Sequence, residues 1–536
     1  MSRRLGLALA LAVGACGSSA SEPAPPPLPQ PPPPPQPTHL VIRVHDEHDR
    51  AVGARVLLRA ADGTPVRFGS LDLWGNRQAQ TGCEFAPGVV GTWDGLVLAY
   101  GSADVRVAKA DCAIPPGRYH AWVWRGIEYE RFEADVDLTP DRGAVTLDAK
   151  LERAWTPHGT LSADLHVHAA ASPDSLVPNP QRVIAQVAAG IQVIGLSDHN
   201  INGDLADDIH KLDLDSTVVS IASDEVTSDD LHLGVYPVTV VRGKPNGGAP
   251  IPADIDSATT EQMFAIVHKF PGDPIVQVNH PRFRVAALFD GAGWDGTSWP
   301  PPFPLGFDAV EVLAGYTAAN APGDRRIDQC VHDFYTLTDH GKLVAPMGNS
   351  DAHNLNWVHD GLTRNYVLVD DPRVAPFDER GFIAAIRGRH VVATSGPWLD
   401  VEAAPQQGGA TVGPGSVVVP ATKTQSVWLD VTVEQTRFVH VDALRISVGG
   451  RRTRTIAVPP DQRSFHWAGS VFVGMRDTWI GVDAGGDTPL PVEQTGNYQQ
   501  DKWGKPGVTP FAIIGPILVD ADGDHRWRRG DANVKL

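Results

Sequence analysis

Basic side chains are short in this chain. Lys and Arg number 45 against 63 Asp and Glu, a net charge of −18 over 536 residues. A protein that follows DNA or RNA needs a basic footprint, so the balance argues against a nucleic-acid partner, although it leaves room for a local basic groove. Cysteine is nearly absent: Cys16, Cys83, Cys112 and Cys330 are the full set. Long apolar runs are missing too. "LGLALALAVGA", near the start, is too short to span a bilayer as a stable helix. No internal repeat is evident, and the length suggests two to four domains.

What stands at the N-terminus is an export pattern. Arg3 and Arg4 precede the short apolar run, which ends in "VGAC". This resembles a bacterial lipobox, so residues 1–16 are expected to be a lipoprotein signal peptide with Cys16 as the lipidated residue. The protein is then expected to be exported and membrane-anchored, facing the periplasm or the cell surface, with the outer membrane as its site. Residues 17–37 form a linker with eleven prolines between Pro23 and Pro37. Such a run is stiff polyproline II. In an oxidising compartment Cys83 and Cys112 are expected to form a disulfide, and Cys330 to be a buried helix thiol.

Pattern changes divide the remainder. Residues 38–153 alternate apolar and polar positions in "HLVIRVHD" and "RYHAWVW". This predicts a β-sandwich, and the stretch resembles prealbumin-like, carboxypeptidase-regulatory-type modules. Residues 154–398 alternate strand-like and helix-like runs. "NPQRVIAQVAAG" predicts a helix with Asn179 as N-cap, Pro180 at N1 and Gly190 as the stop. About seven strands with short connections point to an α/β domain with a parallel sheet. Residues 399–536 return to alternation and predict a C-terminal β-rich domain. There, "DADGDHRW" offers Asp520, Asp522 and Asp524. They suit either a calcium site or a turn with solvated acids, but the glycine is misplaced for an EF-hand.

The chemistry gathers in the middle segment, which holds thirteen of the 20 histidines. "DLHVH" ends in His166 and His168, which point to one face of a strand. About one H-x-H is expected by chance in such a chain, so the pair alone decides nothing. The other strand ends decide it. "GLSDHN" carries Asp198 and His199. "ASDEVTSDDLH" carries Glu225 and His232. "VQVNHPR" carries His280 and Arg282, "VEVLAG" Glu311, and "GNSDAH" Asp351 and His353. Ends of parallel strands open onto one face, so residues almost 190 positions apart can converge. Nitrogen and oxygen donors without thiolates suit Zn, Mn or Fe.

In this order the motifs resemble those of the PHP (polymerase and histidinol phosphatase) metallohydrolases. "SDHN", "FDAVEVLAG", "GNSDAH" and "GLTRNYV" are most similar to the CehA/McbA-type branch, which includes carbaryl-hydrolysing enzymes. The resemblance covers about 240 residues. It implies a distorted (β/α)7 barrel holding two or three divalent metal ions. By motif position it gives ligand roles to His166, His168, His199, Glu225, His232, His280, Asp351 and His353. Asp174 sits where the family has the Asp of an S-x-D-G stretch, which here reads "SPDS". Asp174, Asp198 and Glu311 are therefore possible ligands or supports behind the ligands.

Clustered divalent ions acidify a water and clamp a substrate oxygen. The expected function is thus a metal-dependent hydrolase, first of all a phosphoesterase acting on a small molecule. The alternative enzyme is a carbamate or carboxylic-ester hydrolase. Glu225 is the expected metal-bridging carboxylate. Arg282 and Arg364 are the expected catalytic cations, holding a phosphate or stabilising developing negative charge. The rival from another class is a surface-binding lipoprotein whose metals are structural.

Overall fold

The computed structural model describes residues 39–64, 66, 83–86, 89–91, 96–100, 102–106, 114–139, 142–282, 286–315, 320–321, 324–355, 359–421, 425–495, 507–530 and 532–535. Cys16 and Cys112 fall outside them, as does the side chain of Cys83, so the expected lipidation and disulfide lie outside the described residues.

In the N-terminal segment, strict alternation makes the core. Leu40, Ile42 and Val44 of the strand His39–Asp46 are buried, while Arg43 between them is exposed. The strand lies between Ser102–Arg106, antiparallel, and Ala144–Leu151, parallel. A second sheet centres on Gly53–Ala60, which pairs antiparallel with both Leu96–Tyr100 and Arg118–Trp124. Val56, Leu58, Ala121 and Val123 of that sheet share one apolar core with Leu40, Ile42 and Val44. Burying such a branched side chain contributes about 1.5–3 kcal/mol, which offsets the cost of ordering these short strands.

The middle segment is mixed α/β. Thr160–Val167, Val193–Leu196 and Val219–Ala222 are consecutive parallel strands. The first two are buried along their whole length, as parallel strands covered by helices are, while Val219–Ala222 at the sheet edge buries only Ile221. Leu161, Ala163 and Leu165 pack with Val193, Ala309, Met347 and Val367. Val167, Ile194 and Leu196 face Val183 and Val187 of the helix Asn179–Ala188. Pro178, not Asn179, occupies the N-cap, and its carbonyl accepts from the Arg182 amide at 3.0 Å. Pro180 lies in the first turn as expected, and Gly190 ends the helix at φ +81°. Gly195 is required by contact, because a Cβ there would lie 2.9 Å from the Leu165 Cα. That close approach sets "GLSDH" beside "DLHVH".

The single seven-stranded parallel sheet is not what forms. Ile275–Val278, Ala309–Ala314 and Ala345–Asn349 are parallel neighbours in a separate five-stranded sheet. Two of its strands, Asp224–Thr227 and His232–Tyr236, pair antiparallel across a tight turn at Ser228–Leu231. Arg364–Leu368 inserts antiparallel beside Thr160–Val167 in the other sheet. The first reversal uses a connection too short for a helical crossover. A (β/α)7 barrel is not shown. The two sheets touch at isolated parallel bridges, Val167 to Ala352 and His199 to Glu225.

The C-terminal residues are β-rich. Val391–Thr394 pairs with Phe511–Ile514, so one sheet carries strands from both sides of residue 398. Trp398–Ala404, Ser426–Glu434 and Ser464–Phe472 form a three-stranded sheet. Its Leu399, Val401, Leu429 and Val431 pack on Ile446, Ile480 and Val482.

Candidate metal centre

Both bridges between the sheets carry site residues. Beyond Val167 the chain bends, and the Asp351 amide donates to the His166 carbonyl at 2.9 Å while the His168 amide donates to the Ala352 carbonyl at 3.1 Å. This stitch sets Asp351 against both strand-end histidines. Its Oδ1 lies 3.1 Å from His166 Nε2 and 3.2 Å from His168 Nε2. Asp351 has φ +50° and His280 φ +29°. Side chains rarely adopt that region, and strain of this kind collects at functional sites.

Glu225 is the hub. It is wholly buried, and its oxygens lie 3.0 Å from His166 Nε2, 3.4 Å from His168 Nε2, 3.0 Å from His199 Nδ1, 3.2 Å from His232 Nδ1 and 3.6 Å from His280 Nε2. At the open side Asp174, half-exposed, reaches His353 Nε2 at 3.1 Å and His199 Nε2 at 3.3 Å. All eight residues expected as ligands are therefore brought together, and Asp174 joins them. Four overlapping groups result: His166, Glu225 and His280; His166, His168 and Asp351; His199, Glu225 and His232; and His168, Asp174, His199 and His353. Within each, the donor atoms lie within 4.8 Å of one another.

Charges in so buried a place govern one another. Burial pushes the Glu225 carboxyl up, but His166, His232 and His199 overcome it and hold the carboxyl well below its ordinary value. Asp351 is depressed in the same way by His166 and His353. Burial also depresses His166, yet the carboxylates of Asp351, Glu225 and Glu311 hold it well above normal. His168 meets burial with the neighbouring His353 and falls to about 3, whereas Glu225 and Asp174 outweigh burial at His199 and raise it to about 10.

A metal fits this donor set. His168 Nε2, Glu225 Oε2, His232 Nδ1 and Asp351 Oδ1 are buried without a hydrogen-bond partner. Such atoms cost free energy unless something pairs with them, and these four point into one cluster. Imidazoles mixed with carboxylates are a donor set for a borderline divalent ion. These buried groups could hold a metal ion.

Residues behind the ligands were less visible in the sequence. Glu311 does not enter the cluster. Its Oε1 lies 2.8 Å from His166 Nδ1, and its Oε2 accepts the His280 amide at 2.7 Å. Such a contact fixes the imidazole tautomer. Asn279, unassigned from sequence, donates to Glu225 Oε1 at 2.8 Å, and Asn349 donates to Glu311 at 2.8 Å. Each stands beside a ligand-bearing motif, "VNHPR" and "GNSDAH", which was the available signal. Asp164 accepts from the Ser350 amide at 3.0 Å and the Gly361 amide at 3.0 Å, tying the two sheets together behind the ligands. Asp198 likewise accepts the Ala169 amide at 2.7 Å and belongs to none of the metal-like groups.

The two arginines expected to be catalytic are committed elsewhere. Arg282 forms a two-pronged pair with Asp333, at 2.7 and 2.8 Å, and its third nitrogen serves Asp290 and the Trp294 carbonyl. Arg364 is fully buried and donates to the carbonyls of Gly361 and Ala189. The sequence hid this because Asp333 lies 51 residues beyond Arg282. Arg282→Gln is therefore expected to lower the denaturation midpoint while the folded variant keeps turnover within a few-fold of wild type. Steady-state kinetics beside a urea melt checks it.

Asp520 also turns inward. Its two oxygens accept from the amides of Gly523 and His525, and Asp524 pairs with Arg528 at 2.6 Å. The acids there organise a turn, and Asp520 and Asp522 also form with Asp477 a group whose donor atoms lie within 4.8 Å of one another and could hold a metal ion. The chain matches no family model and no curated protein sequence.

Proposed function

We propose that this protein is a metal-dependent hydrolase, and that it cleaves a phosphoester of a small molecule. One observation carries the reading: seven His and Asp side chains from five segments of the chain gather with Glu225, and several of their donor atoms lack hydrogen-bond partners and point into one cluster. Two or three ions, Zn, Mn or Fe, fit the number of groups. Ions held there would acidify a water and polarise the oxygen of the bond to be cut. The chain's own work is to aim the donors. Glu225 is shared among five imidazoles, Asn279 fixes its Oε1, and Glu311 holds His166 from behind. Asp174 and His353 form the partly exposed side, where a substrate would enter. In this reading the two sheets act as a distorted (β/α)7 barrel, and the lipid anchor expected at Cys16 keeps the enzyme outside the cytoplasm.

A second reading has an observation in its favour. With Arg282 paired to Asp333 and Arg364 buried, neither arginine is left to grip a phosphate. An ester or carbamate carbonyl needs no such grip. Purified protein assayed on an aryl phosphate, an aryl ester and an aryl carbamate separates the two. Chelator treatment is expected to remove at least about 99% of turnover on the preferred substrate, and added Mn or Zn to restore it. Turnover indifferent to the chelator overturns the hydrolase reading. Metal bound tightly with no turnover on any of the three points instead to a binding protein with structural metals.

A further inference from the structure

The stretch 451–476 inverts the charge of the chain. It holds Arg451, Arg452, Arg454, Arg463 and Arg476 against one acid, Asp461, within a protein of net charge −18. Its strand Arg451–Ala457 ends the long sheet, and Ser464–Phe472 ends the three-stranded sheet, among the described residues. The two strands are joined by residues 458–463, lie in different sheets, and touch through Arg454. Arg454 donates to the Ser470 carbonyl at 3.1 Å, and its guanidinium lies 5.4 Å from the centre of the Trp467 ring. Arg463 is occupied by Glu130 at 3.0 Å. Arg451, Arg452 and Arg476 are exposed and make no salt bridge among the described residues. The same stretch holds the two most exposed large apolar side chains of the described residues, Phe472 at 67% and Met475 at 72%.

We propose that this stretch docks on the surface of an anionic phospholipid bilayer, with Phe472 and Met475 entering the headgroup boundary and Arg451, Arg452 and Arg476 meeting lipid phosphates. Exposed apolar side chains in one stretch with unpaired cations are the composition that settles at such an interface. They protrude, and a fluid surface accepts a protruding side chain without a matching pocket. A peptide adding a strand to Arg451–Ala457 would have to pass the arginines that guard this edge. A polyanion such as nucleic acid would use the arginines but leave Phe472 and Met475 idle. The acidic remainder of the molecule does not prevent docking, because charges farther than about 8 Å from the contact are screened at physiological salt.

The test uses the full chain and a readout local to residues 451–476. Amide hydrogen exchange is followed with vesicles of phosphatidylcholine alone and of phosphatidylcholine mixed with phosphatidylglycerol. Protection confined to 451–476, present with the anionic vesicles and weakened by salt, is the expected result. Each arginine near an anionic leaflet strengthens binding about fivefold, so R451Q/R452Q/R476Q is expected to weaken it roughly a hundredfold. Phe472→Ser with Met475→Ser should weaken binding at every salt concentration. All five side chains are exposed, so the melts and turnover of these variants should match wild type. The proposal is overturned by equal exchange with and without vesicles. It is also overturned by protection that does not depend on phosphatidylglycerol, or by a Phe472→Ser, Met475→Ser variant that binds vesicles as well as wild type. Single-stranded DNA that protects 451–476 while vesicles do not would assign the patch to nucleic acid and also overturn it.

Discussion

Glu225→Gln is expected to strip the centre of metal and lower turnover at least about a hundredfold, because it removes the charge shared by the largest number of donors. Five imidazole nitrogens lie within 3.6 Å of this one carboxylate, and no other acid in the cluster touches so many. Gln keeps the volume, and its carbonyl can still accept the Asn279 amide. What disappears is the anion that balances the charge of bound divalent ions. Glu311→Gln supplies the comparison. Glu311 touches His166 from the far side, so its loss should weaken metal affinity by only about 10- to 100-fold. Metal content by mass spectrometry is read first, then turnover at saturating Mn or Zn. Excess metal should rescue Glu311→Gln and leave Glu225→Gln inactive. A Glu225→Gln protein that retains full metal and full activity would remove Glu225 from the centre and the bridging role with it.

Asp351 is better replaced by Asn than by Ala, a choice the sequence did not offer. Its φ of +50° is a conformation that Asn tolerates and Ala does not, so Asp351→Ala mixes backbone strain with loss of a donor.

Several ligand residues were legible because they close apolar runs that read as buried strands. "DLHVH", "VQVNH" and "PMGNSD" end in polar groups where burial makes polarity expensive. The helix at residue 179 was legible from Pro180 and Gly190. Its cap was displaced by one residue because Asn179 uses no side-chain bond and Pro178 supplies the carbonyl instead. Strand direction was not legible. "HLGVY" and "RNYVL" read as strands of either sense, and it is pairing with Asp224–Thr227 and Thr160–Val167 that makes them antiparallel. The arginines misled for a related reason. A cation beside a histidine motif reads as catalytic until its acid is known, and Asp333 and Asp290 belong to other segments of the chain. Asn279 and Asn349 look like loop residues in a one-dimensional reading. Only their distances to Glu225 and Glu311 reveal that they aim the donors.

Asp360→Ala is expected to destabilise the folded protein by about 3–5 kcal/mol and to loosen the metal centre with it, since it strands two buried cations. Arg182 donates through Nη1 to the Asp360 carboxylate and through Nε to the His168 carbonyl at 2.8 Å. Arg55, from the N-terminal sheet, donates to the Asp360 carbonyl at 2.9 Å and lies 3.8 Å from its carboxylate. Neither arginine has measurable access to solvent beyond 1%. Burial lowers Arg55 to about 10 even with Asp360 beside it, and at that value it stays charged at neutral pH. Removing the anion therefore leaves uncompensated charge where water cannot reach. The same Arg182 fixes the backbone on which His168 sits, so metal occupancy should fall although no ligand has changed. Urea denaturation of the metal-loaded protein measures the first effect and mass spectrometry the second. Asp360→Leu with Arg182→Met should regain only part of the stability, because it removes one stranded charge and leaves Arg55 buried without its anion. A midpoint for Asp360→Ala within about 0.5 kcal/mol of wild type would mean that this network does not join the N-terminal sheet to the strand that ends in His168.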